Sequence, residues 1–580
     1  MRITIIFFLI IAAINVNCQE TIVKPGTIKK SVKFKKGFYK INGSVDLNKP
    51  VLEIIGDNLT IDFNNATLVG SNDKKNPDEF YGAAIHIAHG KNITIKNLVC
   101  KGFKIAIFAE DVNGLTIENS DLSYNYRQHL KSTQQKENED DWLTHHHNEN
   151  NEWQRYGAAI YLDSCMYIQV FNCKANNGQN GLMLTRCTNG MIYNNNFSFN
   201  SGLGIGMYRS SDHKILHNKL DFNVRGYSDG VYARGQDSGG ILVYEQSNNN
   251  VFYKNSVTHS GDGFFLWAGQ TTMDTGAGGC NDNLIIDNDF SYAPTNGIEV
   301  TFSSNRINHN RIFECDYGIW AGYSFNTDIS DNQFRNNKTG IAIEHGQNNT
   351  IHQNLFIGDK VAINLWAKKE EPSDWGYPKH RDTRSKDYIF IANSFNNDQF
   401  AYRFSNTDSI AVFGDHFSNV DVQFKTDSTV TRIDSTVNDT LWANLSMGFP
   451  VSIPILDNAI DPFKGIGKLQ GRKNILMTEW GPYNFEYPLI WNTNPIDSSD
   501  TLHFKIYGPK GKWKVVSTSG LDSVYLDGQQ EIVTAIKQKN FSGNIEIKLS
   551  YIGKSFTDSF GNRHIANKPY LFYYKRSKQL

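Results

Sequence analysis

Short runs in which apolar and polar residues alternate recur through the middle of the chain. An alternation with a period of two predicts a β-strand with one buried face. Polar residues and glycine separate the runs, so the pattern predicts many short strands joined by tight turns rather than helices. Six of the runs begin with glycine: Gly181-Leu-Met-Leu, Gly240-Ile-Leu-Val, Gly263-Phe-Phe-Leu, Gly297-Ile-Glu-Val, Gly318-Ile-Trp-Ala and Gly340-Ile-Ala-Ile.

An asparagine repeat keeps the same phase as the glycine strands. Its unit is asparagine, any residue and, in most copies, an apolar residue. Successive asparagines are 22, 53, 23, 23, 37, 33, 22, 22, 22 and 39 residues apart, so the base period is 22 and four units carry insertions of 31, 15, 11 and 17 residues. The asparagines are Asn97, Asn119, Asn172, Asn195, Asn218, Asn255, Asn288, Asn310, Asn332, Asn354 and Asn393.

A unit of this length cannot bury its apolar face alone, but stacked units share a continuous core and pair their strands at ~4.8 Å. The asparagines then form a ladder of side-chain amides inside one turn of the stack. The repeat therefore predicts a parallel β-helix. In this repeat, over roughly residues 25–425, the chain resembles the secreted right-handed parallel β-helix proteins.

The resemblance implies a fold and a broad class, not one reaction. That group contains pectate lyases, polygalacturonases and NosD-like proteins, and it includes hydrolases, lyases, epimerases and proteins that only bind or adhere. We find no pectate-lyase or polygalacturonase catalytic motif in the sequence. The resemblance favours a carbohydrate-active protein of no specific catalytic family.

Changes in pattern divide the chain into five segments. Residues 1–18 predict a signal peptide, because Arg2 precedes an apolar run that is too short to span a bilayer. Residues 19–80 are expected to form an N-terminal cap and the first coils, 81–425 the β-helix and 426–469 a linker. Residues 470–580 predict a small β-sandwich, which covers the open end of the helix or binds carbohydrate.

Export and charge limit the partners. Removal of residues 1–18 predicts a protein that is secreted, periplasmic or at the cell surface, and lipid anchoring at Cys18 is the alternative. No later segment is long and apolar enough to cross a membrane. The 58 Lys and Arg residues balance 59 Asp and Glu residues, so nothing favours nucleic acid. We expect a monomer whose partner is a polysaccharide or oligosaccharide.

The four insertions predict a groove. They lie at about 124–155, 223–238, 269–280 and 368–384, two on each edge of the strip formed by the glycine strands. Loops raised on both sides of a flat strip form a walled groove, which suits an extended polymer better than a small metabolite.

The outward positions of the glycine strands are rich in aromatic residues, which suit the apolar faces of sugar rings. Alternatively, the long loops bury these residues as a second core. The predicted substrate-binding residues are Arg186, Tyr208, Arg209, Tyr244, Trp267, Trp320, His345 and Trp366.

A pair of carboxylates in this groove predicts a glycoside hydrolase. Glu299 and Glu344 lie two coils and two residues apart, so their Cα atoms are expected roughly 12 Å from each other, which inward-leaning side chains could close to an inverting separation. Glu245 or Asp262 is the alternative partner of Glu299.

The competing chemistry is that of a polysaccharide lyase or uronate epimerase, and a non-catalytic binding or adhesive protein is the third possibility. Arg186 and Arg209 occupy equivalent positions on adjacent coils and could clamp a uronate carboxylate. Equally, they pair with Asp163 and Glu245 as ion pairs of the groove wall.

Neither a metal nor a cofactor is expected. The consecutive histidines His145, His146 and His147 cannot all turn to one ion, so their insertion is interpreted as a lid over the groove. Cys165 and Cys187 stack one coil apart, as free thiols or as a disulfide.

Overall fold

The computed structural model describes residues 21–71, 74–233, 238–430, 433–434, 453–465, 469–496, 498–528 and 531–576. Residues 1–20, with the predicted signal peptide and Cys18, lie outside these ranges. The described chain forms a solenoid of parallel strands followed by two antiparallel sheets, as the alternation and the 22-residue repeat predict.

The first sheet contains the glycine strands, each paired in parallel with the equivalent strand of the next coil. Its strands are Gly26–Ile28, Leu52–Ile54, Ala83–Lys96, Ile105–Glu118, Ala158–Asp163, Leu182–Thr185, Leu203–Tyr208, Gly239–Tyr244, Asp262–Trp267, Asn296–Thr301, Tyr317–Trp320, Thr339–Glu344, Val361–Trp366, Phe400–Ser405 and Val422–Thr426.

Two further sheets complete each coil. The second shares the long strands Ala83–Lys96 and Ile105–Glu118 with the first sheet. Its other strands are Val32–Lys33, Leu59–Asp62, Gln169–Phe171, Met191–Tyr193, Lys214–Leu216, Val251–Tyr253, Leu284–Ile286, Arg306–Asn308, Asp328–Ser330, Thr350–His352, Ser385–Ile391, Thr407–Phe413 and Ile433–Asp434. The third sheet contains Phe38–Lys40, Thr67–Val69, Val99–Lys101, Arg311–Phe313, Gln333–Arg335, Leu355–Ile357, Ser394–Asn396 and His416–Ser418, with single bridges between its two groups.

The inward side chains of the three sheets form one continuous core. Ile298, Ile319, Ile341 and Ile363 stack in register inside the first sheet, and each is fully buried. Phe334, Phe356 and Phe395 stack in the same way inside the third sheet, with ring centroids 4.7 and 5.1 Å apart. Each coil therefore buries its apolar residues against its two neighbours, as a repeat of this length requires.

The predicted asparagine ladder runs from Asn195 to Asn393. Each side-chain oxygen accepts hydrogen bonds from the backbone N–H and the amide of the asparagine one coil earlier, at 2.8–3.1 Å. The ladder ends on Asp415, whose carboxylate accepts from the backbone N–H of Asn393 at 2.7 Å.

The ladder phase predicted for the first coils is wrong by one residue. Asn97, Asn119 and Asn172 are partly exposed and left-handed, with φ of 56°, 50° and 53°. The next residue faces inward there, as Cys173 does when its backbone N–H donates to Asn195 at 2.9 Å. A tight turn needs a left-handed residue just before the ladder position, and asparagine tolerates that conformation.

A second turn contains another ladder. His213 donates its backbone N–H to Asn250, which stacks on Asn283 and then on Asn305. In a third turn, the ladder ends in acidic residues. Asn337 is followed there by Asp359 and Asp398, and each carboxylate accepts a backbone N–H from the coil before. Burial raises the pKa of both carboxyls, that of Asp398 to about 6.

The six described cysteines are all buried free thiols. Cys165 and Cys187 are neighbours on adjacent coils, as predicted, and no disulfide joins them. Burial raises the pKa of Cys187 well above its usual range, so this thiol is an apolar filler of the turn rather than a nucleophile.

The C-terminal segment forms a β-sandwich, as predicted. A four-stranded antiparallel sheet packs on a three-stranded one around Phe504, Trp513, Val533, Leu549 and Phe572. The strands are Leu489–Asn492, Thr501–Tyr507, Leu521–Leu526 and Ile532–Lys537 in the first sheet and Gly511–Ser519, Ile545–Gly553 and Tyr570–Arg576 in the second. Two short hairpins flank them: Met477–Thr478 with Gly481–Pro482, and Phe556–Thr557 with Arg563–His564.

The sandwich lies along the side of the solenoid, and the expectation that it covers the open end is wrong. Arg127 is fully buried and donates to the carbonyl of Ser559 at 2.8 Å. Ile475 packs in an apolar cluster with Phe222 and Val224 of the coils. These hydrogen-bonded and apolar contacts attach the sandwich to the start of the 124–155 insertion and to the middle coils, which explains its lateral position.

Short helices interrupt the loops. They are the α-helices Gln270–Thr275 and Tyr377–His380 and the 3-10 helices Pro77–Glu79, Glu139–Asp141, Glu152–Arg155 and Arg472–Asn474. None of the described helices has the length and hydropathy that a membrane span requires.

Candidate functional site

The outward face of the first sheet brings the predicted site residues together. One row in register contains Phe265, Glu299, Trp320, Ala342, Asn364 and Arg403. The neighbouring row contains Trp267 with Thr301 and, two coils further on, Glu344 with Trp366. Trp267, Glu299, Trp320 and Glu344 therefore lie on one side of the solenoid, as the repeat predicts.

The lid, residues 124–155, covers the N-terminal half of this face. Trp153 is fully buried against Tyr208, with ring centroids 5.5 Å apart. Outward residues that were predicted to bind substrate, Tyr208 and Tyr244, are fully buried in the same cluster with Tyr161 and Met183. Here the loop forms a second core over the strands, so these two tyrosines are closed to a polymer.

Arg186 fastens the lid to the sheet. Its guanidinium contacts Asp163 at 2.6 Å, donates to the carbonyl of Asn148 at 3.2 Å and also donates to the Asn151 side chain. These partners occupy the planar fork that would bind a uronate carboxylate. Arg186 therefore acts as a lid contact in this structure.

Arg209 lies between two carboxylates. It is 3.6 Å from Glu245 and 3.8 Å from Glu149 of the lid, and Glu149 accepts a hydrogen bond from Tyr208 at 2.7 Å. Glu245 is only 1% exposed and lies directly beneath Gly269. The ion pairs of Arg186 and Arg209 are those that the sequence offered as the alternative to a substrate clamp, and Glu245 is closed to a sugar.

The three histidines of the lid point in different directions. His145 is fully buried against Trp153, and burial lowers its pKa to about 3. The ring of His146 contacts that of Trp267 at 5.2 Å, whereas His147 lies 3.6 Å from Glu149. Across the residues that the structure describes, no group of three metal-ligating side chains converges.

The opposite side of the groove is a wall made of residues 269–280 and 368–384. Arg381 donates to the carbonyl of Gly276, which joins the two insertions at 2.6 Å. Tyr377 and Met273 pack with Phe302 in one apolar cluster. These two insertions line one edge of the strip, and they support each other.

His345 is part of the wall rather than of an open surface. It stacks on Tyr323 at 4.7 Å, contacts the carbonyl of Thr383 at 2.6 Å and accepts the backbone N–H of Lys368 at 3.0 Å. Glu371 accepts hydrogen bonds from Tyr323 at 2.9 Å and Thr383 at 2.6 Å. With only 4% of its surface exposed, His345 holds the fourth insertion against the sheet edge and does not reach the groove.

Between the lid and the wall, the C-terminal half of the face stays open. Phe265, Trp267, Trp320 and Trp366 are half-buried, in contrast to the tyrosines under the lid. The rings of Trp320 and Trp366 lie 5.5 Å apart at 50°. The coil between them presents Ala342, whose small side chain leaves room for the two indoles.

Two carboxylates, those of Glu299 and Glu344, border this tryptophan pair. Glu299, half-buried beside Trp320, accepts a hydrogen bond from Asn296 at 2.8 Å. Asp262 occupies the neighbouring coil, where it is fully buried and accepts the backbone N–H of Asn296 at 3.0 Å. Burial closes Asp262 to solvent. Its hydrogen bond holds Asn296 in place, and Asn296 in turn orients Glu299.

Glu344 lies on the other side of Trp320. Its Oε1 accepts from the indole N–H of Trp366 at 2.9 Å and lies 3.0 Å from the ammonium of Lys368. Its surface is 7% exposed, because the indole of Trp366 and the Lys368 side chain lie against it. An ionised carboxylate accepts hydrogen bonds from both an indole N–H and an ammonium.

A family model named "Right handed beta helix region" matches residues 83–257 and 234–373. The chain belongs to the right-handed β-helix family. This assignment covers the coils that contain the lid contacts, the tryptophan pair and both carboxylates.

Similarity to individual proteins is remote. A cell surface glycoprotein of Methanothermus fervidus is 20% identical over 299 residues, which cover 49% of this β-helix protein and 40% of the relative. The match therefore spans less than half the length of that relative.

Solved structures of similar shape include three enzymes. The A-module of mannuronan C-5 epimerase AlgE4 from Azotobacter vinelandii is 11% identical, with 71% of this chain and 91% of that chain covered and a TM-score of 0.34. The catalytic domain of a GH87 α-1,3-glucanase is 12% identical, with 71% of this chain and 69% of that chain covered and a TM-score of 0.34. A DFA-IIIase of Arthrobacter chlorophenolicus A6 is 9% identical, with 64% of this chain and 83% of that chain covered and a TM-score of 0.30. TM-scores this low carry no weight for the activity of this β-helix protein.

Sequence reasoning missed the basic end of the groove. Arg403 follows Asn364 in the row of Trp320, donates its Nε–H to the Asn364 Oδ1 at 2.7 Å and is exposed. Lys425 is its neighbour on the next coil, and its ammonium lies 5.1 Å from the Phe400 ring. No glycine marks these two strands, so only the period-two alternation of Phe400-Ala-Tyr-Arg-Phe could have revealed them.

Proposed function

We propose that this protein is an extracytoplasmic carbohydrate-active β-helix whose groove, the face from Phe265 to Arg403 between lid and wall, binds a polysaccharide. One observation carries the proposal. Two tryptophans, Trp320 and Trp366, lie half-exposed and 5.5 Å apart on an open strand face, with a carboxylate on either side. Indole faces stack on the apolar faces of sugar rings, and a strip several coils long suits a polymer.

The reaction that we propose is glycoside hydrolysis. Glu299 would protonate the glycosidic oxygen as its bond to the anomeric carbon breaks. Glu344, which accepts N–H groups from Trp366 and Lys368, would take a proton from the water that attacks that carbon. Two coils and two residues separate them, or roughly 12 Å between Cα atoms. Side chains that lean toward each other across this span would bring the carboxyl groups to the separation of an inverting enzyme, roughly 6.5–9.5 Å, which leaves room for a water.

A uronate lyase or epimerase is the second candidate, because Arg403 and Lys425 are exposed on adjacent coils at one end of the groove. Cations there would neutralise the substrate carboxylate, as abstraction of the C5 proton requires. The arginines first considered for this role, Arg186 and Arg209, are in ion pairs with the lid and the sheet.

A location outside the cytoplasm is part of the proposal. It is supported by the predicted signal peptide and by the printed name of the Methanothermus fervidus relative, a cell surface glycoprotein.

The test uses Glu299→Gln and a panel of neutral and acidic polysaccharides, with a reducing-end assay beside ultraviolet detection of unsaturated sugars. Hydrolysis gives reducing ends alone, whereas a lyase also gives the ultraviolet signal. We expect Glu299→Gln to lower kcat roughly 100-fold or more while binding is kept, and Trp320→Ala to raise the Kd instead. The matched control is Glu370→Gln, an exposed glutamate of the wall. Full activity of Glu299→Gln excludes Glu299 from the reaction.

A further inference from the structure

The charge of the chain is unevenly distributed. Residues 471–576 contain 14 Lys and Arg against 9 Asp and Glu, whereas the rest of the sequence contains 44 against 50. The β-sandwich is therefore basic and the solenoid acidic, although the whole chain is close to neutral. Segregation of this kind indicates that the two parts meet differently charged surroundings.

Four of the fourteen basic residues lie on the outward face of the three-stranded sheet. Lys512 and Lys514 alternate along the strand Gly511–Ser519, with the buried Trp513 between them pointing into the core. Lys548 follows on the central strand and Lys575 on the edge strand, so four lysines share a face with one glutamate, Glu546. Glu546 pairs with Lys575 at 3.4 Å.

The same face exposes apolar side chains. Tyr573 is 63% exposed, Leu571 46% and Ile552 42%. The register places Tyr573 beside Lys548, and Leu571 in the row of Lys514. A contiguous set of exposed apolar side chains rimmed by polar or charged groups marks a binding surface, whereas single scattered ones are ordinary.

We propose that this face is a second glycan-binding site, for a linear anionic polysaccharide bearing carboxylate or sulfate groups. The lysines pair with the acidic groups, and the Tyr573 ring stacks on a sugar face between them. The choice of a glycan rests on the function proposed for the groove. The position of the site does not, because the four lysines lie on the sandwich and none of them belongs to the groove.

The geometry favours an extended polymer. Lysines two residues apart along a strand lie about 7 Å from each other, and the lysines on neighbouring strands are two residues out of line and lie about 8 Å apart, so the charges form a flat array rather than a pocket. A repeating anionic chain can contact several members of such an array at once, and a small anion cannot. In this way the sandwich would hold the enzyme on its substrate while the groove acts.

The experiment measures binding of the full chain to polygalacturonate, to neutral dextran and to phosphatidylglycerol vesicles, in a background in which Trp320→Ala and Trp366→Ala disable the groove. We expect polygalacturonate to bind, dextran not to bind, and Lys514→Ser with Lys548→Ser to weaken binding about tenfold. Added salt should weaken binding further. The matched control removes two exposed lysines elsewhere on the sandwich, by Lys505→Ser with Lys539→Ser.

Three outcomes overturn the proposal: no binding of polygalacturonate, equal loss in the control pair, or preference for the vesicles. Tyr573→Ser gives an independent readout, because it should weaken binding without changing its salt dependence. Polysaccharide cleavage that persists in the groove variants, with polygalacturonate binding kept, would instead count against the groove alone. The two proposals therefore fail separately.

Discussion

The turns of the solenoid depend on side chains that both accept and donate. His213 occupies a ladder position that asparagine fills in the next three coils, as Asn250, Asn283 and Asn305 show. Its Nδ1 accepts the backbone N–H of Gly190 at 2.9 Å, and its Nε2 lies 3.1 Å from the carbonyl of Cys187. Only the neutral ring can do both, and burial lowers the pKa of His213 to about 4.

A pH dependence follows from His213. Its folded pKa, about 4, lies below the unfolded value near 6.5, so the unfolded chain binds the extra proton and stability falls as the pH drops from 6.5 toward 4. We expect the titration of this residue to lower the free energy of unfolding by about 2 kcal/mol between pH 7 and pH 5. Urea unfolding of His213→Asn at both pH values should show that loss removed, because asparagine keeps the ladder and does not titrate. An unchanged pH response in this variant contradicts the assignment.

At the scale of elements, an apolar contact and charged contacts together hold the lid against the first sheet. Trp153 supplies the apolar contact, and Arg186 with Asp163 joins the lid to the strand edge. Removing Arg186 alone leaves the buried Asp163 without its ion pair, so both must change together to test the attachment.

The double variant Asp163→Asn with Arg186→Asn should loosen the lid while the solenoid stays folded. Asparagine tolerates the left-handed backbone of residue 186, where φ is 53°. We expect limited proteolysis within residues 124–155 to become roughly tenfold faster, since about 1.4 kcal/mol of lid closure is lost. Lys131→Ala, which breaks the exposed pair with Asp140, is the control and should leave the cleavage rate unchanged.

Much of this architecture could be predicted from the sequence, and the reasons are local. The period of 22 residues fixes the register, so the common face of Trp267, Glu299, Trp320 and Glu344 follows from counting alone. What counting does not give is the path of an insertion. The burial of Tyr208 beneath Trp153 depends on how 32 loop residues fold back, and no period governs them.

Two further features escaped the sequence for similar reasons. The ladder shift at Asn172 arises because one residue type serves both the left-handed turn and the buried stack. The lateral position of the sandwich depends on contacts far apart in the chain, such as Arg127 with Ser559, which no local pattern reveals.

At the scale of the whole molecule, sandwich and solenoid share an apolar contact around Ile475, Phe222, Val224 and Tyr227. Because Ile475 is 1% exposed, we expect Ile475→Asp to place a charge in this contact and to separate the two parts. Calorimetry should show one main thermal transition in the unaltered chain and two in the variant. Ile455→Asp, at a position 93% exposed, is the control and should unfold as the unaltered chain does.

The acids that end the third turn ladder give the groove an unequal response to acidity along its length. Asp359 and Asp398 belong to the coils that present Trp366 and Arg403. With the folded pKa of Asp398 near 6 and the unfolded value near 3.8, the native state holds the extra proton, so this pair stabilises the coils at low pH and ceases to do so as the pH rises through 6. His213 has the opposite effect nearer the lid. We therefore expect a mildly acidic medium to favour the native state of the coils around Asp398, at the Arg403 end of the groove, and to disfavour that of the coils around His213.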